Sequence, residues 1–277
     1  MHLNNYIGFV LAGRSYLSSA WAADRKRFLF TTIKMTPQKQ EIDQEAVQEW
    51  NSYNVADLSV GAAYKLGISA VVPRPVGVLT TVDPETGIVN CAPFSYTSLA
   101  SHDPPIVTHG LCLSNGKKKD SLRNIEASQE WVCHVLTTHF LSESNECAAS
   151  LPPDQSEIDA NNLETLDCDL IKVPRLKLAP LAMECKLFDK KELFNDEGKH
   201  TTTIVMGRVV KYHIRSDVLA VDCDIKTSPI IDLHRLQAVG RAGGITYWPV
   251  GTPETPESDP EVKKYGGGGA LDIIRPK

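Results

Sequence analysis

The apolar positions of this chain fall into short runs separated by turn residues. Val76 to Val82 is one such run, bounded by Pro75 and by the five-residue segment Asp83-Pro84-Glu85-Thr86-Gly87. Proline followed by glycine in that segment is a hairpin signal, and Ile88 to Ala92 starts the return strand. Ile106 to Leu113 reads as a third strand. Trp131 to Thr137, aromatic and β-branched, reads as a fourth. Ala182 to Leu187 and Thr202 to His213 complete the strand candidates.

Helical spacing is confined to short pieces. Glu41 to Trp50 puts Ile42, Ala46, Val47 and Trp50 on one side. Asp120 caps a helix running to about Ala127, with Leu122 and Ile125 inward. Ser142 caps a helix from Glu143 to Ser150, stopped by Pro152-Pro153, and Gln155 to Glu164 forms another. The charged stretch Asp189 to Lys199 reads as a surface connection turning at Asn195 to Gly198. The tail after Trp248 is rich in proline, glycine and charge. Many hairpin-joined strands with few helices predict a mainly β, antiparallel sheet or barrel with flanking helices. There is no GxGxxG after a strand and no GxxxxGK[ST], which removes the Rossmann and P-loop readings.

The length of 277 residues, 42% hydrophobic and 23% charged, fits one large domain with long ends. Residues 1–35 carry five basic residues against Asp24 alone, with several serines. They read as a mitochondrial transit peptide or an unstructured extension. Residues 36–70 form an N-terminal arm, 71–248 the domain and 249–277 a tail. A net charge of -5 with no basic recognition helix argues against nucleic acid, and no apolar run is long enough to span a bilayer. Seven scattered cysteines without a CxxC argue against a structural zinc site or a disulfide framework. They favour a reducing compartment, cytoplasmic unless the N-terminus directs the chain to mitochondria.

Three segments carry candidate chemistry. Asn90 to Pro105, NCAPFSYTSLASHDPP, is crowded with hydroxyls that can each turn a hydrogen toward an anionic oxygen; it serves equally as a serine-rich edge strand and turn. Lys117 to Ile125, KKKDSLRNI, runs lysines into a helix start, where free N–H groups and the dipole favour phosphate; it also reads as a solvated loop. In Gln237 to Trp248, QAVGRAGGITYW, Arg241 lies among glycines and can meet an anion or a carbonyl, or mark a tight turn.

In order and spacing these segments resemble the flavin reductase-like family. The likeness runs through PRPVGVLTTVDPETGIVNCAPFSYTSLASHDPP, IVTHGL, KKKDSLRNI and EWVCHVL. Ser121 stands where the family motif has threonine. LAMECKLF and GRAGG with Tyr247 follow more loosely, so the likeness spans about Val71 to Tyr247. It implies the FMN-binding split β-barrel, a homodimer with FMN in an interface groove, and NADH or NADPH as hydride donor. Ser95, Tyr96, Thr97 and Ser98 would line the flavin and its phosphate tail, and Lys119, Asp120 and Ser121 would lie near the phosphate. Thr80 and Thr81 would touch the ring or ribityl chain, and Asn90, Ala92 and Pro93 would shape the wall under the ring. Reduced flavin would pass electrons to an acceptor protein or leave as product. No catalytic acid or base is nominated, since the cofactor carries the chemistry. A flavin-binding carrier or sensor without turnover, and an oxidase of the pyridoxamine phosphate oxidase kind, are the alternatives.

Overall fold

The computed structural model describes residues 50–221 and 223–250. The expected N-terminal extension, the Glu41–Trp50 helix except Trp50 itself, and the tail beyond residue 250 lie outside the described residues. The first long element is a helix not foreseen from the sequence, α1 (Val60–Ala70), capped by the Ser59 hydroxyl, which accepts from the Ala62 amide at 3.2 Å. Its apolar row Val60, Tyr64 and Ile68 is mostly uncovered: among its side chains Ile68 alone is buried.

The strands follow in chain order: β1 (Arg74–Pro75), β2 (Gly77–Val82), β3 (Val89–Phe94), β4 (Thr97–His102) and β5 (Pro105–Cys112). Helix α2 (Asp120–Ser128) precedes β6 (Glu130–Val135), and two short helices follow, α3 (Leu141–Glu146) and α4 (Glu157–Ala160). Then come β7 (Thr165–Leu166), β8 (Arg175–Leu176), β9 (Leu181–Phe194), β10 (His200–Ile214), α5 (Leu233–Leu236), β11 (Val239–Arg241) and β12 (Tyr247–Pro249).

Seven strands form one antiparallel sheet in the order β3-β2-β6-β9-β10-β5-β4, and a smaller sheet joins β1, β11 and β12. The outermost strands of the large sheet, β3 and β4, are neighbours in sequence, with Ser95 and Tyr96 alone between them. Six strand gaps would span about 29 Å if the sheet were flat, whereas the three peptide steps from Phe94 to Thr97 reach about 11 Å at most. The sheet therefore curls until the end of β3 and the start of β4 come together, while the two strands stay unpaired with each other. At the seam the Thr97 hydroxyl donates to the Phe94 carbonyl at 2.9 Å, and a Cβ on Gly77 would stand 2.9 Å from the Thr97 Oγ1.

The curled sheet divides the core by the two-residue period of its strands. Leu79 joins Phe94, Leu111, Trp131 and Val205 in one cluster, sealed by Leu122 and Ile125 of α2. Its neighbour Val78 faces the other way, with Cys91, Leu136, Phe140, Ile158 and Val239. The mainly β, antiparallel architecture with helices at its flanks is the one the strand pattern predicted, and Leu122 and Ile125 point inward as expected.

Several local expectations are corrected. Asp120 is the first helical residue and Lys119 holds the cap position; the Asp120 carboxylate pairs with Arg123 instead. Ser142 lies inside α3, which starts at Leu141 out of a 3-10 turn and ends at Glu146. The helix expected over Gln155–Glu164 is the single turn α4, capped by Ser156. The largest change concerns Asp189 to Lys199. Most of this charged stretch is strand, because β9 and β10 form a hairpin of 14 and 15 residues. Its charges are tolerated because Asp189, Lys190 and Lys191 are exposed and Glu192 is only partly buried. The turn falls at Asn195–Gly198 as predicted, with Gly198 at φ +73°. The glycine segment near Arg241 is a hairpin of two short strands.

Candidate functional site

The start of α2 is an open donor set. The Leu122 and Arg123 amides bond the Lys119 carbonyl, and no described group accepts from the Asp120 or Ser121 amide. Lys119 offers no side-chain cap, so these N–H groups and the positive end of the helix dipole face outward. The Lys119 ammonium makes no ion pair among the described residues and lies 5.4 Å from the centre of the Phe94 ring. Ser121, 1% exposed, accepts from the Asn90 side-chain amide at 2.9 Å, which leaves its own hydroxyl hydrogen to donate.

Three adjoining lobes form a groove around this point, and Pro93 and Lys119 border all of them. The first, about 350 Å³, is walled by Asn90, Ala92, Asp120 and Ser121, with Cys147 and Glu157. The second, about 440 Å³, is walled by Tyr64 and Ile68 of α1 and by Phe94, Ser95 and Tyr96. The third, about 340 Å³, holds Arg74, Ser95, Arg241 and Tyr247. Each lobe reaches the size range of small-ligand pockets.

The groove thus brings together Asn90, Ala92, Pro93, Ser95, Tyr96, Lys119, Asp120 and Ser121 of the expected set. Four others do not line these lobes. Thr80 is fully buried and donates to the Pro174 carbonyl at 2.6 Å, and Thr81 accepts from the Asn124 amide at 3.1 Å. Thr80 is paired on both sides, with Cys91 of β3 and Val132 of β6, and Thr81 near the end of β2 lies under Asn124 of α2. Thr97 closes the seam, and the exposed Ser98 lies on edge strand β4 with its hydroxyl on the Leu99 carbonyl.

Behind Thr97 runs a buried relay. The Trp131 indole N–H donates to the His109 Nε2 at 3.3 Å, so Nδ1 carries the imidazole proton toward the Thr97 hydroxyl, 2.9 Å away. That hydroxyl donates on to the Phe94 carbonyl. Burial lowers His109 to about 3, so the ring stays neutral and the relay keeps its direction.

Electrostatics favour an anion in the groove. Arg241 sits 4.3 Å from the centre of the Tyr247 ring, and Arg74 and Lys119 share its lobe. Two carboxylates oppose them. Asp120 is neutralised by Arg123. Glu157 accepts from the Cys91 amide at 3.0 Å; burial, foremost, raises its pKa against the pull of that hydrogen bond, which weakens its charge as an opponent of an anion. Two lining residues went unnamed in the sequence: Tyr64 belongs to the unforeseen α1, and Glu157 lies in the helix expected over Gln155–Glu164, where nothing local marks its carboxylate as facing the groove.

Residues 69–228 match the family model of the flavin reductase like domain. An uncharacterized protein of Bacillus subtilis, YwrF, is 36% identical over 166 residues, covering 60% of this chain and 80% of its own. Among solved structures, component B of nitrilotriacetate monooxygenase from Bacillus cereus superposes with a TM-score of 0.69 at 30% identity, over 74% of this chain and 98% of that one. A Shewanella frigidimarina protein with a split barrel domain gives a TM-score of 0.62 at 16% identity, over 76% of this chain and 99% of its own. The curled antiparallel sheet described above is that split barrel.

Proposed function

The chain belongs to the flavin reductase-like domain family, and on that premise we propose that it binds FMN in the groove at the start of α2 and catalyses hydride transfer to it from NADH or NADPH. The observation that carries this reading is the convergence of the Ser121 hydroxyl, the open α2 amides and the unpaired Lys119 on one lobe. That donor set fits a phosphate monoester.

FMN supplies the hydride-accepting ring, and the protein binds, orients and shields it. Asn90 fixes the Ser121 oxygen so that its hydrogen points into the groove. Ala92 and Pro93 offer a smooth wall for a planar ring, and the His109 relay holds the neighbouring Phe94–Thr97 seam in place. Arg241 on the facing lobe gives the phosphates of a nicotinamide nucleotide a separate cation. The bound flavin would serve an acceptor protein or a small acceptor. The free thiols of the seven cysteines support a reducing compartment such as the cytoplasm.

The test is an anaerobic spectrum. Purified protein should be yellow, or turn yellow with FMN, and NADH or NADPH should bleach the flavin band. A yellow protein that neither nucleotide reduces would remove the reductase and leave a flavin carrier or sensor.

A further inference from the structure

We propose that Cys168, Glu184 and His213 form a binding site for one thiophilic divalent cation of the zinc class. The three residues come from three segments: the loop between β7 and β8, the start of β9 and the end of β10. Their sulfur, carboxylate oxygen and imidazole nitrogen lie within 4.8 Å of one another. Sulfur, nitrogen and oxygen donors in one cluster match zinc and cobalt and do not match calcium or magnesium, which take oxygen shells.

The carboxylate is built for the task. Glu184 has no exposed side-chain surface. One oxygen accepts from the Asp169 amide at 2.9 Å and the other from the Leu170 amide at 2.8 Å, which fixes its orientation as outer partners do in metal sites. Burial opposes its charge, but these amides and His213 together hold its pKa below the usual carboxylate value. The His213 ring nitrogen Nε2 already stands 2.6 Å from it. Cys168 and His213 are only partly buried, so a cation reaches the cluster from solvent. Three protein ligands leave a fourth tetrahedral position for water.

On binding, the Cys168 thiol gives up its proton to solvent, and the proton that His213 Nε2 donates to Glu184 passes by exchange with solvent to Nδ1, which frees Nε2 to coordinate. Thiolate, carboxylate and divalent cation then sum to zero charge. Without a cation the thiol stays protonated: burial first, and the Glu184 charge next, push it up to about 12. Two cations flank the cluster: Lys211 is held by Asp169, and Arg175 lies near Cys168. They weaken the site without occupying a ligand position.

This site was hidden in the sequence because its ligands stand at positions 168, 184 and 213, a spacing no zinc motif has. The experiment is zinc retention by the full chain after dialysis, together with a cobalt difference spectrum. Expected are one zinc ion per chain, a sulfur-to-cobalt charge-transfer band, and a zinc-dependent rise in Tm. Cys168→Ser and His213→Gln should lose all three while unfolding near the wild-type Tm without metal, and Cys223→Ser should keep them. No retained zinc in the wild type, or equal retention in the two ligand variants, overturns the proposal.

Discussion

Lys119 borders every lobe of the groove and pairs with no described acid, so its role is read from what a substitution leaves intact. Lys119→Gln removes one full charge and a cation–π contact of about 0.5–1 kcal/mol. FMN affinity should fall roughly tenfold, its salt dependence should flatten, and the urea midpoint should hardly move. Fluorescence titration at two ionic strengths checks this, and an unchanged dissociation constant would place the phosphate elsewhere. A second residue-scale expectation concerns acid. His134 is fully buried, donates from Nδ1 to the Val78 carbonyl and accepts at Nε2 from the Leu176 amide, so it is neutral; burial lowers it to about 4. The unfolded chain binds this proton near the ordinary value of 6.5, so stability is full above that pH and declines as pH falls toward about 4. His109 adds to the decline over the same range and further, toward about 3. His134→Gln should lower stability at neutral pH yet shallow the slope of urea midpoint against pH between those limits; a slope equal to wild type would mean this imidazole is already charged in the fold.

At the scale of elements, the β9–β10 hairpin depends on one missing side chain. A Cβ on Gly207 would lie 2.2 Å from Cζ2 of Trp131, whose indole is fully buried and joined to His109. Gly207→Ala must push that ring aside at about 1–3 kcal/mol or more, and a urea melt should show it, with flavin affinity falling too because the relay to Thr97 shifts. An unperturbed midpoint would mean the strand yields in place of the ring. Sequence reading succeeds on the strands packed against this hairpin's core side and falls short on the hairpin's exposed end. The strands around Val78, Leu111 and Trp131 were legible because burial demands apolar, β-branched residues. Asp189 to Glu192 were not, since an exposed strand is held by partner strands that no local pattern reveals. Helix α1 escaped for a related reason, as Ile68 alone of its side chains is buried. In the groove, the hydroxyl-rich segment and the lysine-led helix start were readable as residue types. That Thr80 and Thr81 would be spent on Pro174 and Asn124 was a matter of tertiary partners.

For the molecule as a whole, edge strand β4 is hydrogen-bonded on one side, to β5, and carries the exposed Leu99. Tyr96, two-fifths exposed, and Tyr64 stand at the lip of the second lobe. An uncovered strand edge with apolar side chains is a ready docking surface, and we expect a homodimer that covers it and completes the groove. Sedimentation should give a dimer, Leu99→Lys should shift it toward monomer, and FMN affinity should fall with it. A wild-type monomer that binds flavin fully would end this expectation.

The guanidinium of Arg74 donates to the Ile68 carbonyl at 2.5 Å, the Val71 carbonyl at 3.0 Å and the Ala242 carbonyl at 3.2 Å, joining positions 168 residues apart. The family match opens at residue 69, inside α1. A gene trimmed to that boundary would discard Tyr64 and leave one arm of this clasp gripping a frayed end. Anyone shortening the chain for crystals or for display should cut upstream of Ser59 and downstream of Pro249, because Tyr64 and Ile68 from the one side and Arg241 and Tyr247 from the other wall two lobes of the groove.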